Sequence, residues 1–444
     1  MLNKHKIGIL VLVVIVATII ASICIIADMP KQDVKPSIKQ ETQQQTATPI
    51  GGTYVRKSSV TWANNAIFGN IDLEKITEVY FVRSKRGGNI IETWSFDAFL
   101  CHMYDDNTVD FVIEGNSLEV MHPSMYGAFS DMPNLKAIHG LDMLRTGAVT
   151  NMNYMFKNCT SLEYVDVAFL DTSNVTEAEG MFENSGIKKL NFSKNDMNKI
   201  DNLSYFVSEC LYLEEIIFPN TPNVTNMSHM FYRCGVGGGT SAKVDGQLNT
   251  ISCEDMSYMF ADSALEDYSF IGNFNTKNLK TAERMFYTCI IDNIDLSKWD
   301  TQNLRNAECM FYDCGYLTTC NLDNWDVNNL KTCESLFAWC PLLETVSLNW
   351  KNTQTIQNAA YLFQKCIRLQ TLDLSSFDNT EFGDTREMFA QCYDLNTIYS
   401  GGFKSLSSTN MFIDCTSIKG KVVYNPEVLD INAASTAYYF TKKG

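Results

Sequence analysis

The chain has 444 residues, 45% of them apolar and 19% charged, with a formal net charge of −16. The apolar share is ample for a continuous core, and the acidity argues against nucleic acid or an anionic membrane surface as partner, since both need a basic face. Histidine is scarce, and no H-E-x-x-H, G-x-S-x-G or G-x-x-x-x-G-K motif occurs, so catalysis finds no foothold and no cofactor or metal is expected.

Residues 1–6 read as a short cytoplasmic tail carrying Lys4 and Lys6. Residues 7–27, IGILVLVVIVATIIASICIIA, contain no charge. As a helix they would be roughly 31 Å long, matching a hydrocarbon core of about 30 Å. The preceding lysines orient such a segment with its N-terminus inside, which makes it a signal-anchor that exports the rest. A cleaved signal peptide and a lipidated Cys24 are the alternatives; the first lacks a good small-x-small site, and the second has Ile23 where a small residue belongs. All three place the remainder outside the cell. Residues 28–60, rich in Gln, Thr and Pro, read as a disordered linker. Residues 61–123 hold strand-like runs such as TEVYFV and VDFVIEG, which predict a small β-rich N-terminal cap.

From 124 to 415 one phrase returns at intervals of 23 to 29 residues, ending in Phe129, Phe156, Phe182, Phe206, Phe231, Phe260, Phe286, Phe311, Phe337, Phe363, Phe389 and Phe412. A period of this length means a stack of like units, each burying its apolar side against its neighbours. Each unit opens with a strand pattern, as in Leu162-Val165-Val167 or Leu343-Val346-Leu348. A polar turn follows, then a Thr placed to cap a short helix (Thr150, Thr176, Thr225). Met227, Met230 and Phe231 share one face at i, i+3, i+4, which predicts one and a half to two helical turns. The expectation is an α/β solenoid of about twelve coils with parallel strands on one face and short helices on the other. Residues 416–444, with a degenerate ending at Phe440, read as a C-terminal capping repeat.

Three residue columns run through the repeats. Cys159, Cys234, Cys289, Cys314, Cys340, Cys366, Cys392 and Cys415 each follow the repeat Phe by three, and Cys210 by four. That register is a packing slot for a small buried residue. The step between coils is compatible with the Cα range of disulfides, but parallel Cβ vectors disfavour bridging. Asn174, Asn223, Asn278, Asn303 and Asn329 precede the Phe by eight and predict a ladder bonded to turn backbones. Phe274, Trp299, Trp325, Trp350 and Phe377 predict a further aromatic column. The outward strand positions are the binding candidates, chiefly Tyr164, Asp166, Glu215, Asp295, Asp373 and Tyr399, on a face that is polar and mildly acidic.

The segments LDTSNVTEAEGMF, TPNVTNMSHMFYRC and LSKWDTQNLRNAECMFYDC resemble BspA-type leucine-rich repeats over about residues 124–415. The resemblance implies a leucine-rich-repeat stack on a bacterial cell-surface protein, some members of which are associated with adhesion. The expected role is therefore an extracellular interaction protein, held to the membrane by its N-terminal helix and binding a protein or glycan through the solenoid surface. A passive surface rod without a single ligand is the alternative, and an exported enzyme using the cap as catalytic domain is the remaining one.

Overall fold

The computed structural model describes residues 55–58 and 62–443, apart from 97–98, 114–116, 121, 238 and 240. The expected cytoplasmic tail and signal-anchor, and the linker up to residue 54, lie outside the described residues. Among the described residues no helix is long and apolar enough to cross a membrane.

The cap forms around β1 (Val55–Ser58), β2 (Glu78–Val82), β3 (Ile90–Phe96), β4 (Phe99–Tyr104), β5 (Thr108–Val112), β6 (Ser117–Val120), β7 (Ala137–His139) and β8 (Leu144–Arg145). β1 falls inside the stretch read as linker, where it pairs in parallel with β6. Five strands make one sheet in the order β3-β4-β5-β2-β7. Its buried face carries Phe81 and Phe111, whose rings stack at 5.3 Å. Phe68 and Phe81 then meet Phe129 at 6.5 and 6.3 Å, so the cap shares its core with the first coil. Arg86 lies over the Tyr80 ring and bonds the fully buried carboxylate of Asp110 at 2.5 Å. Tyr104 donates to the other oxygen of Asp110, so this buried charge is fully partnered.

Beyond the cap the chain winds as a β-solenoid, and the expected helices are replaced by a ribbon of turns. Within it, the N–H groups of Met152, Tyr154, Phe156 and Asn158 donate to Glu177, Glu179, Met181 and Glu183 of the next coil at 2.8–2.9 Å. The intervening N–H groups of Met155 and Lys157 turn back on carbonyls three residues earlier in their own coil. An α-helix would spend these donors inside the coil and leave the neighbouring coil unbonded. Alternation requires two left-handed residues per coil, such as Tyr154 (φ 58°) and Asn158 (φ 61°), or Tyr361 (φ 59°) and Lys365 (φ 61°). The bridges that start the ribbon run unbroken from Ser124 through Asn151, Asn226 and Asn306 to Asp384. The Thr residues do not cap: the hydroxyl of Thr150 donates to Pro123 O, and that of Thr176 to Thr150 O. The next residue does the capping, Asn151 Oδ1 accepting from Asn153 N and Asn226 Oδ1 from Ser228 N.

The strand face is less continuous than this ribbon. It consists of separate three-stranded parallel sheets, built from Lys189–Asn191 through Lys243–Gly246, from Asn293–Asp295 through Thr345–Ser347, and from Thr371–Asp373 through Phe440–Thr441. At Leu162–Val167 there is only a bridge at Tyr164, because the chain tightens into a 3-10 turn at Val167–Phe169.

Between the two faces every repeat Phe is fully buried. Phe286, Phe311 and Phe337 stack nearly parallel, with ring centres 5.2 and 5.4 Å apart. One member was misassigned from the sequence. Phe182 N donates to Phe206 O, where the other coils use the residue before the Phe, and Val207 N then donates to Met230 O. Val207 therefore fills the Phe slot and Phe206 the Met slot, and Cys210 is in the common register. The aromatic path detours through Phe218, which lies 6.1 Å from both Phe206 and Phe231. Trp299, Trp325 and Trp350 stack as expected, and each indole N–H donates at 3.0 Å to a carbonyl of the preceding coil. The Asn ladder also forms: Asn174, Asn223, Asn278, Asn303 and Asn329 each donate to a turn carbonyl one coil back at 2.6–2.8 Å. At the far end Phe440 pairs on the strand side beside Ile398 and Tyr439 covers Phe412, so this ending closes the core instead of adding another ribbon.

Candidate interaction surface

The six strand-face candidates are distributed along the rod. Tyr164 and Asp166 share one coil, and Tyr399 lies in register beside Asp373, while Glu215 and Asp295 stand apart. The carboxylates already have local work. Asp166 accepts from Ala168 N and Asp295 from Ser297 N, closing their own turns. Ser297 holds the Asp295 carboxyl below its ordinary range. At Asp373 burial pulls upward, but Lys443 and Ser375 outweigh it and the carboxyl is also lowered. Glu215 sits in register between Lys189 and Lys243, the latter 3.5 Å away. Tyr164 is an exposed aromatic on this face, 63% open to solvent.

The turn ribbon is richer. Its left-handed positions place side chains in a row, and in the middle coils that row is aromatic: His229 is sandwiched between Tyr205 and Tyr258 at 4.4 and 4.5 Å. Burial between those rings lowers the imidazole to about 4, so it is neutral at physiological pH. Farther along, Tyr287 stacks on Tyr312, and Lys365 sits over the Trp339 ring at 3.1 Å. Asp313, half-buried near Asp262, is pushed up to about 6 by loss of hydration.

Just after the ribbon, within two residues of the stacked cysteines, Ile290, Tyr316, Ile367 and Tyr393 are 37–53% exposed. Leu342, half-buried, fills the same place in the coil between Tyr316 and Ile367. These coils thus present a line of apolar side chains on an otherwise polar surface. Sequence reasoning missed this row, although its signal, an apolar residue one or two places after Cys289, Cys314, Cys340, Cys366 and Cys392, is visible once the coils are aligned.

The cysteines behind this row are buried and unbridged among the described residues. Each thiol has a partner specific to the stack: Cys314 donates to Phe286 O, Cys340 to Phe311 O and Cys366 to Phe337 O, at 3.0–3.1 Å. The slot therefore takes a small side chain that can also donate to the previous coil. Burial pushes the Cys159 and Cys333 thiols up to about 12, which makes them poor nucleophiles. Cys309 and Cys333, which lie outside the common register, are free and buried as well.

The family described as Mycoplasma protein of unknown function, DUF285, matches residues 123–237, 238–350 and 317–424, well over half of the chain. The chain belongs to that family. No curated protein matches it. Among solved structures it is similar to a leucine-rich repeat protein from Bacteroides ovatus (14% identity, 77% of this chain and 86% of that one, TM-score 0.38). It is also similar to a leucine rich cell surface protein from Faecalibacterium prausnitzii (14% identity, 78% and 98%, TM-score 0.32). A third likeness is to a leucine-rich repeat protein from Eubacterium ventriosum (12% identity, 78% and 94%, TM-score 0.38).

Proposed function

We propose that this DUF285 protein is a bacterial cell-surface interaction protein of the BspA type, which binds an extracellular protein and so serves adhesion. The observation that carries the reading is the exposed row Ile290, Tyr316, Ile367 and Tyr393. A soluble rod gains nothing from aligned exposed apolar groups, whereas a protein partner can bury them, with the Tyr and Trp side chains of the adjoining ribbon as further anchors. In this reading residues 7–27 act as a signal-anchor, the linker spaces the rod from the membrane, and the protein performs no catalysis.

The test is a pull-down with the full chain against immobilised host matrix proteins and bacterial surface fractions. It is run beside a variant carrying Ile290→Ser, Tyr316→Ser, Ile367→Ser and Tyr393→Ser. A protein retained by the wild type and lost by the variant supports the proposal. Equal retention, or none by either, refutes it and leaves the passive rod.

A further inference from the structure

A groove of about 310 Å³ opens on the coil between Phe231 and Phe260, whose interval of 29 residues is the longest of the repeat and includes the glycine-rich run Gly235–Gly239. That coil is drawn tight against its neighbour: Gly246 has φ +93°, and a Cβ there would meet Phe218 O at 2.1 Å. The groove is lined by the amides Asn220, Gln247, Asn249, Asn273 and Asn275, with Leu248 and Phe274 as its apolar residues. No charged side chain is among its lining residues, on a chain whose net charge is −16.

Three of the amides occupy a position that the repeat shares along the chain. In most coils the residue before the buried position held by Thr172, Thr250 or Thr301 is Asp or Asn, which can close an Asx turn with nothing more than an oxygen acceptor; Arg145, before Thr146, is an exception. On either side of the groove the residue is aspartate: Asp171 and Asp196 accept from Ser173 N and Asn198 N, and Asp300 and Asp326 from Gln302 N and Asn328 N. In the three coils of the groove it is Asn220, Asn249 and Asn275. Asn249 and Asn275 close the same turns through Oδ1, to Ile251 N and Lys277 N. Asn220 has no turn to close, because Pro222 has no N–H; its Oδ1 instead accepts from Asn249 Nδ2 at 3.0 Å. Asn352 and Asn379 likewise precede the buried Thr353 and Thr380 farther along, so the amide is not unique to these coils. What sets the groove apart is three such asparagines in succession, which leave the turns' requirement met and put amides side by side without charge. Gln247 and Asn273 add two exposed side-chain amides that the turns do not use.

We infer that this groove binds a neutral oligosaccharide. Paired donor and acceptor amides match the vicinal hydroxyls of a sugar, which are donors and acceptors at once, and the apolar residues suit its C–H faces. A carboxylated or sulfated chain would find no cation among the lining residues. This site is separate from the apolar row, and its test is independent of that reading.

The probes are maltohexaose, cellohexaose, laminarihexaose and chitohexaose, with hexagalacturonate as the charged comparator. Each is titrated into the full chain and followed by saturation-transfer NMR and calorimetry. At least one neutral hexasaccharide is expected to bind, and hexagalacturonate is not. Gln247→Ala with Asn273→Ala removes exposed amides outside the turn framework, so it should leave melting unchanged while weakening binding about tenfold or more. Asn275→Asp keeps the turn acceptor and restores the charge of the flanking coils, so it should also weaken binding in a folded protein. The Ile290/Tyr316/Ile367/Tyr393 variant should bind the sugar normally. Absence of binding by all four neutral probes, preference for hexagalacturonate, or undiminished binding in the double variant overturns the assignment.

Discussion

Replacing Phe311 with alanine tests the core at its most regular point. The ring is fully buried and lies parallel to its neighbours, 3° from both Phe286 and Phe337, with centres 5.2 and 5.4 Å away. Truncating a buried Phe usually costs about 3–5 kcal/mol through lost transfer energy and the cavity left behind. The ring contacts on both sides, worth about 0.5–1.5 kcal/mol each, place this site towards the top of that range. The cavity cannot collapse easily, because the ribbon is bonded to both neighbouring coils here: Phe286 N donates to Met310 O and Phe311 N to Leu336 O, each at 2.9 Å. Since each coil is supported by its neighbours, the loss should also loosen the coils of Phe286 and Phe337. Urea denaturation followed by far-UV circular dichroism gives the stability, and hydrogen exchange gives its spread along the chain. A loss under about 1 kcal/mol would mean that the column is not the core. Faster exchange confined to the mutated coil would mean that the coils are not coupled.

Two further outcomes follow from buried groups. The fourteen cysteines among the described residues should be silent to a thiol reagent in the native protein, and most should titrate as free thiols after denaturation without reductant; a count near zero would show a disulfide-stapled rod. His229, lowered to about 4 by burial, binds fewer protons folded than unfolded between about pH 4 and the ordinary value of 6.5. Its contribution to stability is therefore present above pH 6.5 and lost as pH falls towards 4, so His229→Phe should flatten the acid side of a thermal-stability profile in that window; an unchanged slope would refute the assignment.

How much of this was legible beforehand depends on whether a residue's role is set by its spacing or by its backbone. The Phe, Trp, Cys and Asn columns could be read directly, because a side chain that recurs in register must stack on its own copies. The ribbon could not. Met227, Met230 and Phe231 fit a helical face, and the same three positions also fit a chain of turns that buries alternate side chains. What separates the two is the conformation of residues such as Tyr154, Arg284 and Glu387, which are left-handed here without being glycine or asparagine. No single-residue preference announces that choice. The slip at Phe206 has a related origin, because Tyr-Phe-Val in place of Met-Phe-Tyr keeps the pattern while shifting its register by one. Outward direction alone singles out the strand-face candidates, and direction does not reveal that Asp166, Asp295 and Asp373 are held by their own turns.

The ribbon's conformation explains why the repeat tolerates such varied surface residues. A left-handed backbone costs an ordinary residue about 1–2 kcal/mol, and each coil carries two. That cost recurs at every step and is offset only when the neighbouring coil supplies acceptors for the alternate N–H groups, as Glu177, Glu179, Met181 and Glu183 do for the coil of Phe156. An isolated coil would have the strain without the bonds, so the ribbon is stable only within a stack that is closed at both ends. The buried Phe, Cys and Met positions carry that cooperativity, and the left-handed side chains lie mostly half-buried outside the core, packed on their own counterparts as His229 is between Tyr205 and Tyr258. Tyr205, His229, Arg284, Trp339 and Lys365 can occupy equivalent turns for that reason. A solenoid of this construction can change the chemistry of one face coil by coil while its core stays the same, which is what the apolar row and the amide groove both display.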